Sequence, residues 1–499
     1  MIRRCFVLAV LLGVLSGGFA VGEPASFYVQ PDALTNGDGS AARPWRRLTD
    51  TAWKQIDRAL SADDVAVFFC ARGSTGRDVP IARTDDSPHR LTLDGMSRYK
   101  ADEEAATWKE NRTAHRHRIT ARYPIGTGRT KRNRVTVRGF HLVATCGQGV
   151  AYWGGDHVVV EHCVVTSREP EHGPGIIFGY AHHKGDKPGN GGCVDITIRH
   201  NTVHHVYGEG IYVGGVEGQN LPGHDGVLIE GNTIHDVAHT GGEGDAIDIK
   251  DANRNVVVRG NTVYMTEPGA ARDGIVIGSA ALVEGNFIYN FGRCGISLGT
   301  FWNGFPNRKG AVVRNNIIVN CGGSPRYTWD YGLILGGSRS GDQFSDALIC
   351  NNTICGIRSD RPGQGTGIEI RREARGTRLW NNLVCDCAGP ALNAGRGSLG
   401  EHGHNAFFSR TGGVLVQHGS RRYAAENMEG FEPDALTTDP LLIRPTPPFA
   451  PGGFAPKPGS PAIDAARPLP SFDHDFNGAT RPAGRWDIGA VEAPPPPDR

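Results

Sequence analysis

The chain has 499 residues, with 53 Lys and Arg against 52 Asp and Glu, so its formal net charge is +1 and any strongly basic stretch is a local feature. Seventy glycines and only four methionines suit short strands joined by many bends, which argues against several compact domains and for one elongated unit with end pieces. Beyond the N-terminus no run approaches the roughly 20 apolar residues that would span a bilayer, so no membrane span is expected.

Residues 1–22 carry Arg3 and Arg4, an apolar run from Cys5 to Leu15 and then small residues, the pattern of a secretory signal. Export is therefore expected, to an extracellular or periplasmic space, and nucleic acid is not expected as a partner. Cys5 lies too early for a lipid-anchoring site. Ten cysteines remain in a compartment that permits disulfides, with Cys355–Cys385 and Cys146–Cys163 as the two candidate pairs and buried thiols as the alternative. Asn111 and Asn351 head glycosylation sequons. From Thr49 to Leu60 an amphipathic stretch with Trp53, Ile56 and Leu60 on one face predicts a helix able to cover an exposed sheet end. Between Lys109 and Arg138 ten Lys or Arg stand against the single acid Glu110, either a cationic surface for an anionic polymer or a solvated loop.

The middle of the chain repeats one phrase: Val227-Leu-Ile-Glu-Gly-Asn232-Thr-Ile, Val256-Val-Val-Arg-Gly-Asn261-Thr-Val, Ala281-Leu-Val-Glu-Gly-Asn286-Phe-Ile, with an earlier copy at Ile196 to Val203. Its asparagine returns at Asn201, Asn232, Asn261, Asn286, Asn316, Asn352 and Asn382, spacings of 31, 29, 25, 30, 36 and 30 residues, one structural unit each. A second short strand follows every phrase, as in Gly210-Ile-Tyr-Val, Ala246-Ile-Asp-Ile and Gly274-Ile-Val-Ile, and both strands alternate with period two. Strands this short bury nothing alone, so each unit must be one turn of a coil paired with the turns above and below. The expected fold is all-β, a parallel β-helix, with 23–134 as N-terminal cap and irregular first coils, 135–410 as the helix proper and 411–499 as a loop-rich capping module. The Gly-Asn pairs suit bends at positive φ, and the stacked asparagines should bond amide to amide along the axis.

On the second strand, Glu209, Asp245 and Asp273 should stack in three successive coils. Like charges about 5 Å apart persist only if the acids protonate, find basic partners or share a cation, for which Ca²⁺ with its oxygen ligands is the best fit in an exported protein. Asp248 and Lys250 lie two residues apart on one outward face, with Asp251 following. A neighbouring cation and burial would lower the Lys250 pKa toward that of a general base. Such a base removes the proton on carbon 5 of a uronate whose carboxylate is neutralised, and the 4-linked sugar leaves.

These residues resemble family 9 polysaccharide lyases, which are right-handed parallel β-helices. The match runs from Asp245-Ala-Ile-Asp-Ile-Lys250 to Asp273-Gly274, with Ala246 where that pattern has glycine and Val276 where it often has a further acid. The resemblance implies calcium-assisted β-elimination of an acidic polysaccharide, with Lys250 as base and Glu209, Asp245, Asp248 and Asp273 as metal ligands. Arg254, Arg272, His224, His239 and Tyr212 are the residues expected to contact substrate. The segment from Phe27 to Pro44 resembles the opening of secreted right-handed β-helix proteins, and Gly459 to Glu492 their closing module, whose acids read as turn formers.

The alternatives left open are a glycosidase using Asp248 with Asp273 or Glu369, which needs carboxyls about 5–9.5 Å apart, and a non-catalytic polymer-binding solenoid. His204 and His235 share a slot that later holds Tyr264 and Tyr289, an aromatic stack, and a transition-metal site in this histidine-rich region is a further option. A monomer is expected.

Overall fold

A computed structural model describes residues 24–70, 74–81, 87–97, 116–126, 133–145, 147–168, 173–179, 192–214, 223–238, 244–250, 253–299, 309–336 and 344–494. The expected leader, Cys146, Asn111, His239 and Asp251 lie outside them. Three long sheets, of 13, 12 and 13 strands, run the length of the described chain, and each coil contributes one strand to each sheet in turn. Within these sheets the strand pairings are parallel except the last, between Val416–His418 and Arg421–Tyr423. No described helix is long and apolar enough to cross a membrane.

The repeated phrase is itself two strands meeting at its asparagine. Its first half, as in Arg254–Arg259, builds the first wall and its second half, as in Thr262–Tyr264, the second wall. The residue before each ladder asparagine has φ between 51° and 62° whether it is His200, Gly231, Gly260, Gly285, Asn315, Asn351 or Asn381. Left-handed backbone there turns the chain from the first wall into the second without inserting a loop. Asn201, Asn232, Asn261, Asn286, Asn316, Asn352, Asn382 and then Asn405 form a continuous buried ladder. Each Nδ2 donates to the next Oδ1 at 2.9–3.0 Å. Asn405 extends the series by one coil, and its backbone N–H donates to Glu432 Oε1 at 2.8 Å, so the ladder ends on a carboxylate.

The core lies between the walls, with Ile198, Ile229, Val258, Val283, Val313, Ile349 and Leu379 stacked as an inward column on the first wall alone. On the third wall, strand Ile211–Val213 pairs with Ile247–Ile249 and that with Asp273–Ile277, in strict register. A Cβ at Gly274 would lie 2.6 Å from both the Gly295 carbonyl and the Ile288 side chain, which is why this corner calls for glycine.

At the N-terminus the helix spans Asp50–Leu60, starts on the Thr49 hydroxyl, which accepts the Ala52 N–H, and buries Trp53, Ile56 and Leu60. The C-terminal module does more than close the far end. Leu442, Phe454, Trp486, Ile488 and Val491 double back along the outer face of the second wall, packing on Phe287, Ile317, Val319 and Leu383, and on Leu348 of the first wall. Its acids serve turns: Asp475 Oδ1 accepts the Asn477 and Ala479 N–H groups, and Asp487 those of Asp464 and Ala493. Arg481, with a fully buried side chain, binds Glu492, the Gly489 carbonyl and Asn315 of the coil beneath. Arg481→Met should therefore cost about 3–5 kcal/mol by stranding Glu492 and two acceptors. Limited proteolysis would then cut first between residues 436 and 494, and an unchanged cleavage pattern would refute the anchoring role.

Nine cysteines lie among the described residues, all as free thiols. Cys355 and Cys385 stack as their spacing predicts, sulfurs 2.7 Å apart, but as an unbridged pair. Asn351 is fully buried and its Oδ1 accepts from Asn381, so that sequon is closed in the folded chain.

Candidate active site

Registration brings the predicted acids together. The Gly210 N–H donates to the Asp245 carbonyl at 3.1 Å and the Ala246 N–H to that of Asp273 at 3.0 Å, which puts Glu209, Asp245 and Asp273 in successive coils at the entry to the third wall. All three are buried, Asp273 completely. Strand alternation then sends Ile247 and Ile249 to the core and Asp248 outward, in register with Tyr212 below and Val276 above.

Lys250 follows directly. Its Nζ lies 2.6 Å from Asp248 Oδ2 and 5.3 Å from the centre of the Tyr212 ring. Gly214 lies under its stem: a Cβ there would come within 2.5 Å of Lys250 Cβ. Burial would pull the Lys250 pKa down, but the Asp248 carboxylate outweighs it and holds the ammonium above the ordinary lysine range. This is the reverse of the lowered pKa expected from the sequence, because the nearest charge is an anion. Burial in turn pushes the Asp248 carboxyl up, Lys250 only partly opposing it. Asp248 Oδ1 is buried and has no hydrogen-bond partner among the described residues.

The column itself is compensated by arginine. Arg293 grips Asp273 through Nε at 2.7 Å and through Nη2, and the Cys294 N–H adds a third bond to Asp273 at 3.0 Å. Arg272 lies 3.6 Å from Asp245 and 4.0 Å from Asp273. Asp245 accepts the Asp273 N–H at 3.1 Å, and burial together with Asp273 raises its pKa well above the usual carboxylate range. Arg272 and Arg293 thus face Asp245 and Asp273, while Lys250 is paired with Asp248. Calcium does not fit this donor set: both Asp273 oxygens and one of Asp248 are spent on side-chain cations, and the acids do not converge on one point as a group of metal-ligating atoms must.

Other expected contacts fall elsewhere. His224 is wholly buried, its Nδ1 accepting the Cys193 N–H at 2.9 Å, and burial lowers its pKa to about 4, so it is a neutral structural histidine. Arg254 stands on the first wall, paired with Asp225. Of the basic segment, Arg138 is on the first wall too, held 2.6 Å from Asp94. Tyr212 and Arg272 belong to the site.

The sequence reading overlooked Arg293, whose place just before the third wall's next strand puts it one coil above Arg272. It also overlooked a continuation of this face. Arg293 and Arg371 lie on the Trp329 ring at 5.8 and 5.5 Å, Arg371 donates to the Tyr331 hydroxyl, and Glu369, 3.4 Å from Arg371, is raised in pKa by burial. Asp248 and Glu369 share one register column separated by Val276, Ser297 and Ile334. Four steps of about 4.8 Å put them some 19 Å apart.

Residues 189–427 match the family described as the right handed beta helix region. No curated protein matches the chain in sequence. Among solved structures, the complex of XylC with xylose is similar at 12% identity and TM-score 0.52, over 93% of this chain and 98% of that one. Pectate lyase Pel9A is similar at 13% identity and TM-score 0.43, over 95% and 98%. The alginate lyase from Paenibacillus sp. str. FPU-7 follows at 15% identity and TM-score 0.37, over 60% and 91%. With three parallel walls wound coil upon coil and a family match across its middle, the chain is a right-handed parallel β-helix protein.

Proposed function

We propose that the chain is a secreted carbohydrate-active enzyme that cleaves a uronate-containing polysaccharide by β-elimination on the outer face of the third wall. The observation that carries this reading is the Asp248–Lys250 pair: an amine 2.6 Å from a buried carboxyl of raised pKa, whose second oxygen is unsatisfied. Proton transfer from Lys250 to Asp248 turns the ion pair into a neutral amine and a neutral acid, a step whose cost burial reduces because it disfavours both charged forms. The amine then takes the proton from carbon 5, the C–H pair forms the carbon 4–5 double bond, and the 4-linked oxygen departs with its bonding pair and takes up a proton from water. Arg272 and Arg293 on the same wall supply positive charge for the substrate carboxylate, the task that calcium was expected to perform. Tyr212 and Trp329 offer ring faces to sugars. Similarity in fold to a structure holding xylose agrees with a glycan ligand.

Hydrolysis is less well supported by the same geometry. Asp248 and Glu369 stand about twice too far apart for a glycosidase pair. Asp273 is fully occupied by Arg293 and the Cys294 N–H.

A panel of pectins, alginates and glycosaminoglycans should reveal one polymer whose incubation with the protein generates ultraviolet-absorbing unsaturated ends, at a rate unaffected by a calcium chelator. New reducing ends without ultraviolet absorbance would instead indicate hydrolysis. No turnover of any uronate polymer would leave the face as a binding surface only.

A further inference from the structure

A second cluster of titratable side chains sits where the second wall ends, and the proposed elimination does not use it. His204 and His235 close strands Thr202–His204 and Thr233–His235, with rings stacked 5.0 Å apart at 2°. His205 and Asp236 each follow in left-handed backbone, φ 52° and 50°, which turns both side chains out of the strand line. His205 stands edge-on to both stacked rings, its Nδ1 2.8 Å from His204 Nδ1. His235 Nδ1 lies 2.9 Å from Asp236 Oδ2.

We propose that His204, His205, His235 and Asp236 form a binding site for a divalent first-row transition ion of the zinc class. Donor atoms of His205, His235 and Asp236 already lie within 4.8 Å of one another, and His204 Nδ1 touches His205. Three imidazoles and one carboxylate are a borderline-soft donor set suited to zinc, and bonds of about 2.0–2.2 Å would draw them together by small rotations of the exposed His205 ring. Asp236 is already oriented: the Thr266 N–H and hydroxyl donate to its two oxygens at 2.8 and 2.9 Å.

Stacking alone does not demand this chemistry. The same ladder continues as Tyr264 on His235 and Tyr289 on Tyr264, each at 4.9 Å, so tyrosine serves equally well in later coils. The coils with tyrosine in that slot follow it with Met265 and Asn290, whereas the two with histidine follow it with His205 and Asp236, within ligand distance of His235. An ion there would clamp one coil to the next at the corner leading to Glu209 and Asp245.

The full chain, stripped of metal with a chelator, should bind one equivalent of Zn²⁺ by calorimetry at this site. With Co²⁺ as probe it should develop the visible absorption of a four-coordinate nitrogen and oxygen site. His205→Ala with Asp236→Asn, which spare the stacked rings, should lose that spectrum and weaken the zinc equivalent by at least about tenfold. Circular dichroism would verify that the variant is folded. Zinc binding of equal strength in the variant, or no four-coordinate cobalt spectrum in the parent chain, would overturn the assignment.

Discussion

Lys250→Ala should slow elimination by about 10²–10⁴-fold, the usual contribution of a positioned acid–base group, while binding of the uronate polymer changes little. In the proposed site binding would rest on Arg272, Arg293, Tyr212 and Trp329, which the substitution leaves in place, so the loss should appear in kcat rather than KM. Asp248→Asn should be nearly as damaging, since an amide of the same shape cannot receive the lysine proton, and the double variant should be scarcely worse than either single one. Rates should also carry an acid limb above the ordinary carboxylate range. Below the raised pKa of Asp248 the pair holds two protons and no base is available; above it one proton is shared and the amine form can be reached. Asp248→Asn should abolish that limb. Initial rates from ultraviolet absorbance, with melting curves to verify folding, give all of these quantities, and a Lys250→Ala protein that retains parental kcat would eliminate the mechanism.

The fold was legible because its determinants are local and repeat. One asparagine phrase per coil sets the bend, the register and the inward column together, and a misregistered coil would break the Asn261 to Asn286 contact at once. The acid column was legible for the same reason, since registration alone aligns Glu209, Asp245 and Asp273. What neutralises it was not. Arg272 and Arg293 precede their strands and reach across to Asp245 and Asp273 of the neighbouring coil, and nothing in strand periodicity says whether three carboxylates will meet arginines or an ion. The course of the C-terminal module was half visible. Thr233 and His235 are polar on the outer side of the second wall, whereas Ile317, Val319 and Leu383 are apolar on both sides, the mark of strands covered on both faces. His224 misled because its neighbouring loop suggested a groove, while its own ring is committed to the Cys193 backbone.

Asn286→Ala should be among the most destabilising single substitutions in the protein, at about 3–5 kcal/mol. Its Oδ1 accepts both the backbone N–H and the Nδ2 of Asn261, each at 3.0 Å, and its Nδ2 donates to the Val258 carbonyl and to Asn316 Oδ1. Alanine leaves the buried Asn261 backbone N–H without a partner, at about 1–3 kcal/mol, takes away one acceptor of the Asn261 Nδ2, which keeps the Ile229 and Arg259 carbonyls, and opens a gap that water cannot easily fill between closely stacked coils. Position in the ladder makes the argument specific. Asn201, at the N-terminal end, accepts through its Oδ1 the Cys163 N–H and no side-chain amide among the described residues, so Asn201→Ala loses no incoming amide-to-amide bond and should cost less. Asn286→Asp should be worse than alanine, because it removes both donors and sets a carboxylate against Asn316 Oδ1 where no solvent reaches. Urea unfolding would rank the three variants, and hydrogen exchange should show protection lost first in the coils on either side of residue 286. Equal costs at positions 201 and 286 would mean that the asparagines act through their bends alone, and the amide ladder would then contribute little to holding one coil on the next.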